Sequence, residues 1–110
     1  MTTEALKNIP ELTLQCGETT DEITGIYCGD LLSHVMGQAL CGNVWCTVMG
    51  NINTVAVASL TDAAAVILCN DIPFTDDMRE KAVANGVTVF TSSLAEFDAA
   101  LLTAKTAGLI

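Results

Sequence analysis

The run Ala64-Ala65-Val66-Ile67-Leu68-Cys69 constrains this chain most. Six consecutive small or apolar residues, ending at Asn70-Asp71, make a strand buried on both faces. A strand covered on both faces needs layers above and below it, and here helical segments stand on either side in the sequence. Thr75 followed by Asp76 and Asp77 is a helix start, with a capping hydroxyl and acids in the first turn. That helix stops at Asn85-Gly86, where glycine can take the left-handed conformation.

The same alternation extends in both directions. Val44 to Met49 is β-prone and stops at Gly50-Asn51. Asn53 is placed to cap a short helix through Val55, Ala56, Ala58 and Ser59. Val87 to Phe90 reads as a strand, and Ser93-Leu94-Ala95-Glu96 as the capping box of a last helix. Leu94, Phe97, Leu101 and Ala104 would share that helix's buried face. Upstream, Glu11 to Cys16 alternates polar and apolar residues, and Ile23 to Cys28 forms a second short strand ended by Gly29. Asp30 stands where a helix cap would, before Leu31, Leu32, Val35, Met36 and Ala39 on one apolar face. Ser33 and His34 fall on the opposite side. These readings predict one α/β domain across residues 1–110, with its core over about 12–105. It should hold about five strands in a mainly parallel sheet, joined by crossover helices.

Charge narrows the partners. The 110 residues carry 13 acids against four bases, a formal net charge of −9. Lys7, Arg79, Lys81 and Lys105 form no basic stripe, so nucleic acid and anionic membrane surfaces are not expected partners. No run approaches the roughly 18 apolar residues of a membrane span, and Met1-Thr2-Thr3-Glu4 lacks the basic opening of a secretory leader. A cytoplasmic setting is expected. The hydrophobic fraction of 51% against 15% charged residues favours a surface covered by a second subunit, hence a homodimer.

Catalytic and cofactor motifs are missing from the string. There is no phosphate loop, no dinucleotide-binding glycine pattern and no serine nucleophile elbow. The single histidine, His34, leaves no pair for zinc. Cys16, Cys28, Cys41, Cys46 and Cys69 are odd in number. Cys28, Cys46 and Cys69 lie in apolar runs and read as small buried hydrophobes. Cys41 and Cys46 make a C-x4-C pair, but position 49 is Met where a plant-type iron–sulfur site has its third cysteine. No enzyme, metal or cofactor is therefore expected.

What remains is a set of short polar residues where strands should hand over to helices. They are Asp30, Asn51 with Asn53, Asn70 with Asp71, and Thr91 with Ser92. In a parallel sheet these turns share the carboxyl edge, where open α/β sheets bind ligands. Ser33, on the outer side of the first helix, completes the candidate ligand-binding residues. The acids favour a neutral or cationic ligand over a phosphate.

The order of these segments resembles the DRTGG domain family. The resemblance rests first on Gly29-Asp30-Leu31-Leu32-Ser33 within Ile23 to Gly37. It continues through Val44 to Met49, Asn51-x-Asn53, Ala56 to Leu60, the Ala64–Cys69 strand, Ala82-x-x-Asn85-Gly86-Val87 and Thr91. It covers roughly residues 12–105. The literal DRTGG string is absent, and the positions after the third and fourth strands read Gly50-Asn51-Ile52-Asn53 and Cys69-Asn70-Asp71. Such domains are similar to the N-terminal domain of HPr kinase/phosphorylase, whose phosphate loop is missing here. The resemblance implies a non-catalytic, dimerising, ligand-sensing module. The alternatives are a docking subunit of a cytoplasmic enzyme complex and, more remotely, a small thiol or iron–sulfur redox protein built on Cys41 and Cys46.

Overall fold

Strands form where the sequence is most apolar. In the computed structural model, which describes residues 1–38 and 40–110, five strands make one sheet in the order β1-β5-β4-β3-β2. They are β1 (Leu12–Cys16), β2 (Gly25–Cys28), β3 (Asn43–Thr47), β4 (Ala65–Leu68) and β5 (Val89–Ser92). β2 to β5 run parallel, while β1 pairs antiparallel with β5 at one edge. The expected five-stranded, mainly parallel α/β architecture is what the chain adopts. The Ala64–Cys69 run supplies β4, whose four residues are all buried.

Four helices flank the sheet: α1 (Leu32–Met36), α2 (Ile52–Thr61), α3 (Asp76–Asn85) and α4 (Glu96–Thr106). α1, α2 and α3 make the successive crossovers between β2, β3, β4 and β5. Crossovers of one hand that step in one direction put their helices on one face. Val35, Val55, Ala58, Met78 and Ala82 from those helices accordingly join Trp45, Val66, Leu68 and Val89 in one core cluster. The other face is covered by α4 and by a 3₁₀ segment, Thr3–Asn8. There Leu6 and Ala99 pack on Val44, Cys46, Ala65, Ile67 and Phe90.

Local chemistry sets the helix ends. Thr75 caps α3 by accepting the Met78 N–H, and Gly86 ends it at φ +68°. α2 is capped two residues earlier than expected. The Asn51 side chain accepts from the Asn53 and Thr54 amides, and Asn53 is itself inside the helix.

Two other expected caps are not formed. Leu31 precedes α1, and its side chain has no acceptor to offer. The Asp30 carboxylate turns toward β3 instead, where two donors hold it. Ala95 precedes α4, so Glu96 is the first helical residue and the Ser93 capping box does not close. Ser92 takes the local role by accepting the Leu94 amide.

The apolar faces of the two short-looped helices also differ from expectation. In α1 only Val35 is buried, while Leu31 and Met36 are exposed; Ala39 lies outside the described residues. In α4 the buried residues are Ala99 and Thr103, and Phe97 is 72% exposed. The stripe of α4 that packs on the sheet instead runs through Ala99, Leu102, Thr103 and Ala107.

The β1 edge is tied down by an irregularity. The β1–β5 register shifts between Leu14 and Cys16, which makes Gln15 an extra, bulged residue. Both its carbonyl and its side-chain oxygen accept from the Arg79 guanidinium, at 2.6 and 2.9 Å. Its amide nitrogen donates to Thr91 Oγ1 at 2.9 Å, so α3, β1 and β5 are linked through one side chain.

Candidate functional site

The parallel strands β2 to β5 end along one edge of the sheet, and the link from β5 to α4 runs along that edge. The Asp71 amide donates to the Ser92 carbonyl at 2.9 Å, and the Asn70 amide to the Leu94 carbonyl at 2.8 Å. Asn70 and Asp71 make this tight turn with φ of 57° each, a left-handed conformation that Asn and Asp tolerate better than most residues. The link therefore passes over the end of β4 and delivers Glu96 to the ends of β2 and β3.

There it meets Asp30. The Asp30 Oδ1 accepts from the buried Thr47 hydroxyl at 2.8 Å and from the Val48 amide at 2.9 Å. Burial pushes the Asp30 carboxyl up, but those two donors and a hydrogen bond with Glu96 outweigh it and hold the group below its usual range. Glu96 moves the other way. Partial burial, the bond to Asp30, and the negative charges of Asp30 and Cys28 raise it to about 7. The pair is thus one ionised and one protonated carboxyl at mildly acid pH, with Glu96 holding the proton between them.

Cys28, the last residue of β2, adjoins this pair. It is exposed, whereas the sequence reading made it a buried hydrophobe. Its register partner on β3 is the buried Cys46. A hydrogen bond from Cys46 outweighs burial and the charge of Asp30, and holds the Cys28 thiol down at about 7. Cys46 is displaced upward by the same bond first, then by Cys69 and burial. Cys41 sits apart, in the turn before β3, with its thiol 3.7 Å from an Asp62 carboxylate oxygen. The C-x4-C residues thus have different neighbours. Among the described residues, no cluster of three or more His, Cys, Asp or Glu is arranged to hold a metal ion.

No family model matches this sequence, and no curated protein matches it.

A second polar feature lies farther along the same edge. Asp71, Thr91 and Ser92 line an open groove of about 290 Å³ together with Pro10, Glu11, Thr13 and Ser93. The sheet thus brings three of the eight expected residues into one groove and puts Asp30 in the neighbouring carboxyl cluster. The other four are not brought in. Asn51 is occupied as the α2 cap, Asn53 is exposed in the first turn of α2, Asn70 serves the tight turn, and Ser33 is exposed on α1. A larger groove of about 400 Å³ opens elsewhere, between Ile52 of α2 and Asp77, Glu80, Lys81, Ala84 and Asn85 of α3.

Glu96, Cys28 and Thr47 are not among the candidate site residues that the sequence suggests. The signal for Glu96 was ambiguous, because S-x-x-E is equally the signature of a capping box. For Cys28 the available signal was its position as the last strand residue before Gly29, at the carboxyl edge.

Proposed function

We propose that this chain is a non-catalytic regulatory or ligand-binding module that self-associates, with its ligand seated at the carboxyl edge of the sheet. The observation that carries the reading is the convergence of Asp71, Thr91, Ser92 and Glu11 on one groove at that edge. Hydroxyls and carboxylates without a lysine or arginine suit a small neutral or cationic molecule that donates hydrogen bonds. The DRTGG resemblance points the same way.

Self-association is supported by the large apolar side chains left exposed, among them Leu31 and Met36 at the two ends of α1 and Phe97 on α4. β2 is also an open sheet edge. A cytoplasmic setting belongs to the same reading, since it keeps the five free cysteines reduced. No helix among the described residues is long and apolar enough to cross a membrane.

Thermal unfolding against a panel of amines, amino acids and nucleosides, with light scattering on the same samples, tests the proposal. A ligand at a hundred times its dissociation constant adds about 2.7 kcal/mol. The expected result is a dimer with one specific stabiliser whose effect is lost in Asp71→Ala and Thr91→Val. A dimer that no small molecule stabilises replaces the reading with a protein-docking scaffold, for which the exposed apolar residues are the supporting observation. A monomer removes the self-association.

A further inference from the structure

The thiols at the β2–β3 edge are arranged for chemistry that a ligand-binding module does not require. Cys28 and Cys46 are direct register partners on adjacent parallel strands. Partners in register project to the same face, and Cys46 belongs to the core beneath α4. Neighbouring strands stand about 4.8 Å apart. That separation falls within the roughly 4.4–6.8 Å between Cα atoms that a disulfide spans. One thiol is exposed and the other buried, so oxidant reaches Cys28 first.

We propose that Cys28 is a peroxide-reactive thiol and Cys46 its resolving partner, together forming a reversible disulfide across β2 and β3. The Cys28 thiolate attacks the terminal oxygen of a hydroperoxide. The O–O bond breaks, an alcohol or water leaves with a proton from solvent, and Cys28 becomes a sulfenic acid. The Cys46 sulfur then attacks the Cys28 sulfur. The S–O bond breaks, and the departing hydroxide takes the Cys46 proton and leaves as water. In sum, two thiols and one hydroperoxide give one disulfide, one alcohol and one water.

The surroundings favour each half of this sequence. The Cys46 hydrogen bond stabilises the Cys28 thiolate against the repulsion of Asp30. The largest cause holding the proton on Cys46 is that same bond to Cys28. Conversion of Cys28 to a neutral sulfenic acid removes the negative partner and frees Cys46 to react. Cys69 lies on the far side of Cys46 but is fully buried, and it has no exposed sulfur to begin the reaction.

The test is oxidation of the reduced protein with a small excess of hydrogen peroxide, read by intact mass. Loss of two hydrogens, reversed by dithiothreitol, is expected. Cleavage before Asp30 separates Cys28 from Cys46, so the bridge should join the two resulting peptides, and it should persist in Cys41→Ser. In Cys46→Ala a sulfenic acid trapped by dimedone should accumulate on Cys28. If that variant does not fold, Cys28→Ser, altered at an exposed position, must abolish the loss of two hydrogens. A bridge involving Cys41, oxidation of Cys28 straight to sulfinic acid, or no reaction at Cys28 overturns the proposal. None of these outcomes depends on the groove or its ligand.

Discussion

Replacing Asp30 separates what its charge does from what its oxygen does. Asp30→Ala removes the acceptor of two hydrogen bonds, from the buried Thr47 hydroxyl and the half-buried Val48 amide. Each bond to a charged acceptor contributes about 1.5–3 kcal/mol, and a buried donor left without a partner costs about 1–3 kcal/mol. The hydroxyl can rotate and the cluster is partly open to water, which reduces the sum to about 2–3 kcal/mol. Asp30→Asn retains a carbonyl oxygen for both donors and can turn its amide toward Glu96. It should lose no more than about 1 kcal/mol, the part of the two bonds that came from charge.

Urea unfolding followed by Trp45 fluorescence measures both, because Trp45 is fully buried and donates its indole N–H to the Gly29 carbonyl just before Asp30. With a slope of about 2 kcal/mol per molar, the midpoint of Asp30→Ala should fall by roughly 1–1.5 M and that of Asp30→Asn by about half a molar or less. Equal losses in the two variants would refute the assignment of the stabilisation to the oxygen's two donors. A loss below about 0.5 kcal/mol in Asp30→Ala would show that the clamp on Asp30 contributes nothing to the fold.

Glu96 sets the pH dependence. Its folded value of about 7 lies above the 4.5 of an ordinary glutamate, so its contribution is full below about 4.5 and is lost as pH rises through 7. The unscreened shift amounts to about 3 kcal/mol, which solvent access reduces to about 1 kcal/mol. Stability should therefore fall by most of that between pH 5 and 7, and Glu96→Gln should flatten the curve there; above pH 7 the lowered Cys28 thiol acts in the opposite sense, adding stability as it ionises. Asp30, shifted downward, acts below its ordinary 3.8 and does not enter that window. Asn51→Ala should cost about 1 kcal/mol through the lost α2 cap, whereas Asn53→Ala should be near neutral in the same urea assay. Arg79→Met removes both bonds to Gln15 and the stacking 4.9 Å over Phe74, and should cost about 1–2 kcal/mol while speeding amide exchange in β1.

The strands were legible because burial on both faces of a parallel sheet leaves an unmistakable mark, as in Ala65–Leu68 and Val44–Thr47. The α3 boundaries were equally plain, since Thr75 and Gly86 each act on their own helix and need nothing from elsewhere in the chain. The errors fall where a polar side chain had two places to go. Asp30 and Glu96 both suit helix starts, and from local sequence each was read as a cap or as part of one. Each is instead recruited across strands, because the β5–α4 link crosses the edge and brings the two carboxyls together. Cys28 departs from its local pattern through long-range placement as well. Its run is apolar, but β2 is the last strand of the sheet, and strand order is a long-range property that no window of sequence contains. Local grammar thus located the carboxyl edge and half of its groups. Pairings between groups far apart in the chain decide which of those groups retain unspent chemistry, and they leave it on Cys28, Asp30 and Glu96.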